Sequence, residues 1–301
     1  MSSPEPDVSV VFETENDEPN HRIRLTDVME SWLRQTARAR VAEWIVVSPR
    51  TATPEELALL ARAPARWIER SGTRYYGLKN EGIRQARGCF IALADSDALP
   101  ATDWLEIALA VLERSGPSVA LLTGRTRYLP GPFSREMAIA QLPNQADLPH
   151  DTTHFLAHNV LLRTEIVRPL LFSGDEIRLG SDTHLAGRLI ESGYRLRYDP
   201  ALRATHNYCR HWKELYRHCV VIGYAFGRFD EHTGEPHPNR LLDFAGRVRV
   251  LLARWRELRR PMGIPFRRLP LSLFFFSGYS LAVAHGYGMA VRGRPEPFAR
   301  F

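Results

Sequence analysis

A chain of 301 residues that is 44% hydrophobic and 25% charged has an ordinary globular composition, with room for one large α/β domain and an appendage. Its net charge of +6 is carried almost wholly by arginine, Lys79 and Lys213 being the only lysines, and it admits an anionic ligand, an anionic membrane surface or nucleic acid. The three cysteines form no paired framework, the absence of G-x-G-x-x-G and G-x-x-x-x-G-K-[ST] argues against dinucleotide and P-loop chemistry, and M-S-S-P-E-P-D has neither the basic nor the apolar region of a secretory signal, so a cytoplasmic setting is expected.

Asp7-Val-Ser-Val-Val-Phe12 reads as a first strand, and apolar Ile23, Val28, Trp32 and Leu33 as one face of a helix over 23–38. A second strand, 43–47, stops at Ser48-Pro49. Thr53-Pro-Glu-Glu then opens a helix with a cap residue, proline at the first position and acids at the positive dipole end. Residues 65–69 form a third strand, and Asn80 to Arg87 a helix closed by Gly88. Cys89-Phe-Ile-Ala-Leu-Ala94 is a short apolar run, the pattern of a buried parallel strand, and the thiol of Cys89 is expected inside it. A helix over 102–114, a strand over 118–123, an irregular proline-bearing segment with a short helix over 130–153 and a strand over 158–163 follow. Ser181 caps a helix that Gly193 ends, and 195–199 and 203–206 close the sheet. Alternating strands and helices predict βαβ units in a mostly parallel sheet.

That buried strand ends in Asp95-Ser-Asp97. Two carboxylates one residue apart, at the carboxyl end of a strand, lie where open α/β sheets bind ligands, and their hard oxygens suit Mg²⁺ or Mn²⁺. Taken alone, the same residues also make an ordinary turn before a helix.

The motifs in order resemble the family 2 glycosyltransferases. They are Val8-Ser-Val-Val-Phe-Glu-Thr-Glu-Asn16, Glu43-Trp-Ile-Val-Val-Ser-Pro-Arg50, Asn80-Glu-Gly-Ile-Arg-Gln-Ala-Arg-Gly88, Asp95-Ser-Asp97, Gly180-Ser-Asp-Thr-His-Leu-Ala-Gly-Arg-Leu189 and Pro200-Ala-Leu-Arg-Ala-Thr-His206. The resemblance covers about residues 7–228 and implies a GT-A fold, Rossmann-like, and an inverting transferase using a nucleotide-sugar donor and a glycan or lipid-linked acceptor. It implies Asp97 as direct metal ligand, Asp95 at the donor ribose and the metal, and His206 completing a shell around Mn²⁺ or Mg²⁺. A buried, hydrogen-bonded histidine is the plainer account of His206. Asp182 is the implied base, with Glu176 and Asp175 as substitutes; as a first-turn acid, Asp182 could equally serve the helix dipole. Donor contacts are implied for Thr14, Glu15, Ser48, Arg74, Asn80 and Ser96, with Lys79 and Asn80 holding the loop or the pyrophosphate. Two positions depart from the pattern: Ser48 replaces the aspartate that reads the donor base, and Glu13-Thr-Glu replaces Pro-Thr-Tyr.

A division after residue 228 separates this part from a helical region, 229–301. There Arg247, Arg249, Arg254 and Arg256 interleave with apolar residues, and an apolar stretch, 269–291, approaches the roughly 20 residues of a membrane span but contains proline, serines and glycines. Peripheral contact with an anionic membrane is expected, the alternative being a helical hairpin packed on protein. The interleaved arginines do not suit nucleic acid. His206, Cys209 and His211 lack the second ligand pair of a zinc site. Two other functions stay open. A nucleotidyltransferase would need a basic, Gly-rich loop after the first strand, where this chain is acidic, and a catalytically degenerate, membrane-attached scaffold would bind sugar nucleotides without turnover.

Overall fold

The structure, a computed structural model, describes residues 7–18, 21–174, 180–234, 244–295 and 297. It divides into two compact units. One comprises Met1–Arg127, Leu148–Asp175 and Ser181–Asn207; the other comprises Tyr128–Asp147, Glu176–Gly180 and Tyr208–Phe301. The second unit thus begins at Tyr208 and recruits the 128–147 segment, where the sequence suggests a division after 228. Phe133, Met137 and Ile139 of that segment share a core with Tyr208, Leu215 and Cys219, and burying those side chains ties the segment to the later helices.

The first unit is built on a nine-stranded sheet in the order β3-β2-β1-β4-β8-β6-β9-β5, with β7 on β9. The strands are β1 (Val8–Glu13), β2 (Val41–Ser48), β3 (Ala65–Glu69), β4 (Phe90–Ala94), β5 (Ala98–Pro100), β6 (Val119–Tyr128), β7 (His150–Thr152), β8 (Val160–Arg163) and β9 (Arg195–His206). Pairings β1–β2, β1–β4 and β2–β3 are parallel, as the βαβ pattern predicts. On the far side of β4, β8 is antiparallel to both β4 and β6, and β9 is antiparallel to β5 and β7, so the sheet is mixed. The two terminal segments, 195–199 and 203–206, are one continuous strand. Cys89 falls just outside β4 and is exposed.

Strand periodicity aims the site residues. Along β1, Val11 and Glu13 share a face with each other, and along β4, Ile91 and Leu93 share a face that Asp95 continues. Val11, Ile91 and Leu93 pack in one core with Leu78 and Ile83 of α3 (Tyr75–Gln85). On the opposite face Phe12 meets Trp44 at 5.1 Å and Trp32 of α1 (Leu25–Leu33) at 6.2 Å. Helix α2 (Pro54–Leu60) has the capping box read from its sequence: Thr53 Oγ1 accepts from Glu56 N, and Thr53 N donates to Glu56. Helix α3 starts at Tyr75, five residues before the sequence suggests. The remaining helices of this unit are α4 (Trp104–Arg114), α6 (Thr164–Val167) and α7 (Ser181–Glu191).

The α3 motif has a packing logic. A Cβ on Gly82 would lie 2.2 Å from Val11 Cγ1, and one on Gly88 would lie 2.5 Å from the Asp7 carbonyl oxygen, so both glycines let α3 and its exit press onto β1. Asn80 accepts from Phe172 N at 2.9 Å and donates to Phe172 O at 3.0 Å, clamping the 172 loop to the helix.

The second unit comprises α5 (Ser134–Gln141), α8 (Trp212–Thr233), α9 (Phe244–Leu258) and α10 (Leu269–Val291). Helix α8 ends at Gly234, whose φ of 70° is the left-handed cap conformation. Helices α8 and α10 meet along a glycine seam: a Cβ on Gly223 would lie 1.9 Å from Val283 O, and one on Gly286 would lie 1.9 Å from Val220 O. Buried Glu136 accepts from Arg268 Nε at 2.7 Å and Ser272 Oγ at 2.9 Å. The 26-residue stretch Phe266–Val291 is long enough to cross a membrane and its most apolar 18-residue window has a mean hydropathy of 1.2, although 44% of that window is buried within the protein.

Candidate active site

Register brings the site together. Ala98 pairs with His206, and Asn207 N donates to the Asp97 carbonyl at 2.9 Å, so the end of β9 lies beside Asp97. On the other side Leu93 pairs with Val160; continuing that antiparallel register by two places sets Asp95 opposite His158. A carboxylate oxygen of Asp95 and one ring nitrogen each of His158 and His206 lie within 4.8 Å of one another, donors fitted to one cation.

Asp95 and Asp97 are both buried, yet their surroundings differ. Asp95 accepts hydrogen bonds from the fully buried Lys79 ammonium and, at 2.6 Å, from Tyr75 Oη, both presented by α3. Burial alone would raise its pKa, but the Lys79 charge, with help from His158 and these hydrogen bonds, holds Asp95 below the usual carboxylate range. Asp97 has no such lysine in contact. Burial raises its pKa against the opposing pull of His206 and His21. His206 Nε2 lies 3.5 Å from Asp97 Oδ1 and His21 Nδ1 lies 3.8 Å from Asp97 Oδ2. Among the described residues, Asp97 Oδ1, His21 Nδ1 and Ser96 Oγ are buried without hydrogen-bond partners, which is the state of groups prepared for a ligand. These features fit a divalent metal.

Glu13 points into the same cluster. Burial, together with the charges of Asp95 and Asp97, pushes its pKa well up, and it accepts from Glu15 N at 2.7 Å and Ser96 N at 3.4 Å. It thereby ties the loop after β1 to the loop after β4. Glu15 accepts from Tyr75 N, a first-turn amide of α3 that lacks a partner within the helix, so this carboxylate serves the helix terminus. Arg74, the exposed residue at the N-cap, makes no side-chain cap bond.

At the end of β2, Thr14 Oγ1 donates to Ser48 Oγ at 2.7 Å, and Arg50 N donates to the same oxygen at 3.1 Å. An acid is present nearby, although not where the motif places it. Asp17, on the loop after β1, holds Arg24 at 2.7 Å and Arg50 at 3.0 Å.

Asp182 lies in the first turn of α7. Burial raises its pKa to about 6, against hydrogen bonds from Thr183 N at 2.8 Å and the Tyr76 hydroxyl, and the Asp95 charge adds to the rise. A carboxylate poised there can exchange a proton near neutrality. Glu176 and Asp175 lie outside the described residues. The structure thus gathers Asp95, Asp97, His206, Ser96 and Asp182 in the first unit, while Asn80 is engaged with the 172 loop. His21, His158, Lys79's ion pair and Asp17 carry no signal in the sequence, because each depends on contacts between distant segments.

The profile described as glycosyl transferase family 2 matches residues 21–171, half of the chain. The chain belongs to glycosyl transferase family 2. It is 30% identical over 139 residues to the pre-mycofactocin glycosyltransferase of Mycobacterium tuberculosis, in two strains, across 43% of this chain and 29% of that relative, so it spans less than a third of the relative's length. Among solved structures it is similar to the mannosyltransferase PcManGT from Pyrobaculum calidifontis in complex with GDP-Man and Mn²⁺, with a TM-score of 0.65, 16% identity, and coverage of 97% of this chain and 89% of that one. It is also similar to S. aureus TarS 1-349 in complex with UDP-GlcNAc, with a TM-score of 0.52, 13% identity, and coverage of 97% and 93%. The family and these neighbours establish the GT-A architecture, a helix-flanked mixed sheet followed by C-terminal helices.

Proposed function

We propose that this family 2 glycosyltransferase moves a sugar, with inversion, from a nucleoside-diphosphate donor to a hydroxyl acceptor. The observation that carries the reading is the convergence of Asp95, Asp97 and His206 at the ends of β4 and β9, beside buried Asp97 Oδ1, Ser96 Oγ and His21 Nδ1, which lack hydrogen-bond partners among the described residues. Asp95, Asp97 and His206 would hold Mn²⁺ or Mg²⁺, which when bound supplies positive charge to the departing diphosphate. Asp182, ionised above about pH 6, takes the acceptor hydroxyl's proton as the acceptor oxygen bonds to the anomeric carbon. The bond from that carbon to the diphosphate breaks, and the nucleoside diphosphate leaves with the electron pair. Lys79 and Tyr75 hold Asp95 ionised and fixed, while Thr14 and Ser48 line the donor side. The Mn²⁺ in the PcManGT complex and the nucleotide sugars in both structural neighbours support the donor class.

The acceptor reading is a lipid-linked or glycan hydroxyl near a cytoplasmic membrane surface. It draws on the exposed Leu271, Phe274 and Leu281 of α10 and the exposed Arg256, Arg260 and Arg267 of the same unit.

The test is a panel of nucleotide sugars with Mn²⁺ or Mg²⁺, following nucleoside-diphosphate release by wild type and Asp97→Ala. Release by the wild type, cut roughly a hundredfold or more in the variant, is the expected outcome. Equal release by both, or none with any donor, would overturn the reading and favour a binding scaffold without turnover.

A further inference from the structure

The family's motifs give no role to His158, which reaches the site only because β8 runs antiparallel to β4. Its ring lies beside that of His206, with centroids 4.5 Å apart, and one nitrogen of each ring shares a 4.8 Å cluster with an Asp95 oxygen. His158 is half-buried, so a ring nitrogen without a protein partner is open to solvent or to a ligand. Here Nε2 lies 3.1 Å from Thr126 Oγ1, and among the described residues no hydrogen bond reaches Nδ1.

The Thr126 hydroxyl admits the tautomer that a metal ligand needs. Its Oγ1 also accepts from Asn159 Nδ2 at 3.1 Å, and a hydroxyl oxygen with two lone pairs can take that proton and the one on Nε2 together. With Nε2 donating, the lone pair is on Nδ1. Metal-bound histidines are held in this way, one nitrogen donating to a protein oxygen so that the other is aimed at the ion. Asp95 can share in such a site although Lys79 and Tyr75 already bond to it, since each carboxylate oxygen keeps a second lone pair.

We infer that His158, through Nδ1, is a ligand of the divalent cation together with Asp95 and His206, and that two imidazoles make the site prefer Mn²⁺ to Mg²⁺. Mg²⁺ favours a shell of oxygens and keeps its waters, whereas first-row transition metals accept imidazole nitrogen readily. The inference rests on the cation-binding part of the proposed function and goes further in naming a ligand and a metal preference.

The experiment uses the full chain with Mn²⁺ or Mg²⁺ alone and no donor, so that binding is read apart from turnover. Titration calorimetry gives the two affinities, and pulsed electron paramagnetic resonance counts the ¹⁴N nuclei coupled to bound Mn²⁺. Wild type is expected to bind Mn²⁺ more tightly than Mg²⁺ and to show two coupled imidazoles. His158→Gln, which keeps bulk at the site, is expected to lose one coupling and about ten- to a hundredfold in Mn²⁺ affinity, with a smaller loss for Mg²⁺. His158→Ala is the second variant, and thermal melting identifies which of the two is folded. An unchanged coupling count and Mn²⁺ affinity in a folded variant would overturn the inference. If Mn²⁺ then still couples to one imidazole and Asp97→Ala still abolishes release, the proposed function stands while His158 falls. If wild type binds neither metal, both fall.

Discussion

Asp182 combines a functional demand with a folding cost. Its carboxyl has a pKa of about 6 in the fold against an ordinary 3.8, so the folded chain binds this proton more tightly than the unfolded chain does. The sign follows: the group imposes no penalty below about pH 4, and the penalty grows as pH rises through 6 and is complete above it. Asp182→Asn keeps an oxygen for Thr183 N and removes the charge. The variant is expected to lose nucleoside-diphosphate release and yet gain stability at pH 8, by at most about 3 kcal/mol, a gain that vanishes at pH 4. Melting curves at both pH values check this, and an unchanged melting temperature at pH 8 would remove the base assignment's electrostatic support. In wild type, release should rise with pH through about 6 as the base ionises.

Helix α3 supplies Lys79 and Tyr75 to the site, so its seating on β1 governs the geometry around Asp95. Gly82→Ala would drive a methyl group to within 2.2 Å of Val11 Cγ1, and overpacking of this kind costs roughly 1–3 kcal/mol. The expected result is a lower melting temperature together with weaker donor turnover; normal values for both would show that α3 has slack at this contact. The same helix shows what a sequence can and cannot disclose. The glycines and Asn80 stand out as a motif, and Asp95 and Asp97 are legible because a buried strand ends at them. The start of α3 is not legible, because the carboxylate at its first turn, Glu15, comes from the loop after β1. His158 is hidden for a related reason. An apolar run such as 158–163 reads as a strand in either direction, and only its antiparallel pairing carries that histidine to Asp95. Ser48 reads as a departure from the family pattern, and the sequence does not disclose that Asp17, on a different segment, pairs with Arg50 two residues beyond it.

At the scale of the whole molecule, the arginine excess and the apolar C-terminal stretch meet in the second unit. Leu271, Phe274 and Leu281 lie on the outer face of α10 at spacings of three and seven residues, the repeat of a helix stripe. Membrane contact through this stripe predicts flotation of the full chain with vesicles containing anionic lipid, reduced in neutral vesicles and at high salt. Phe274→Asp combined with Leu281→Asp should abolish flotation while sparing the fold of the first unit. Flotation of that double variant equal to wild type would show that another surface holds the lipid.

The glycine seam between α8 and α10 bears on what that outer face can meet. Most helix pairs in water are held by expelling water from between large side chains, an attraction that disappears when the surroundings are themselves oily. Here Gly223 and Gly286 bring main chain against main chain, adding close atomic contact to the burial of side chains such as Val220, Phe276 and Val283. The contact part of that cohesion survives a change of solvent, whereas the burial part depends on water. The helix pair therefore has a source of cohesion that persists whether the stripe of α10 faces water, acyl chains or another protein.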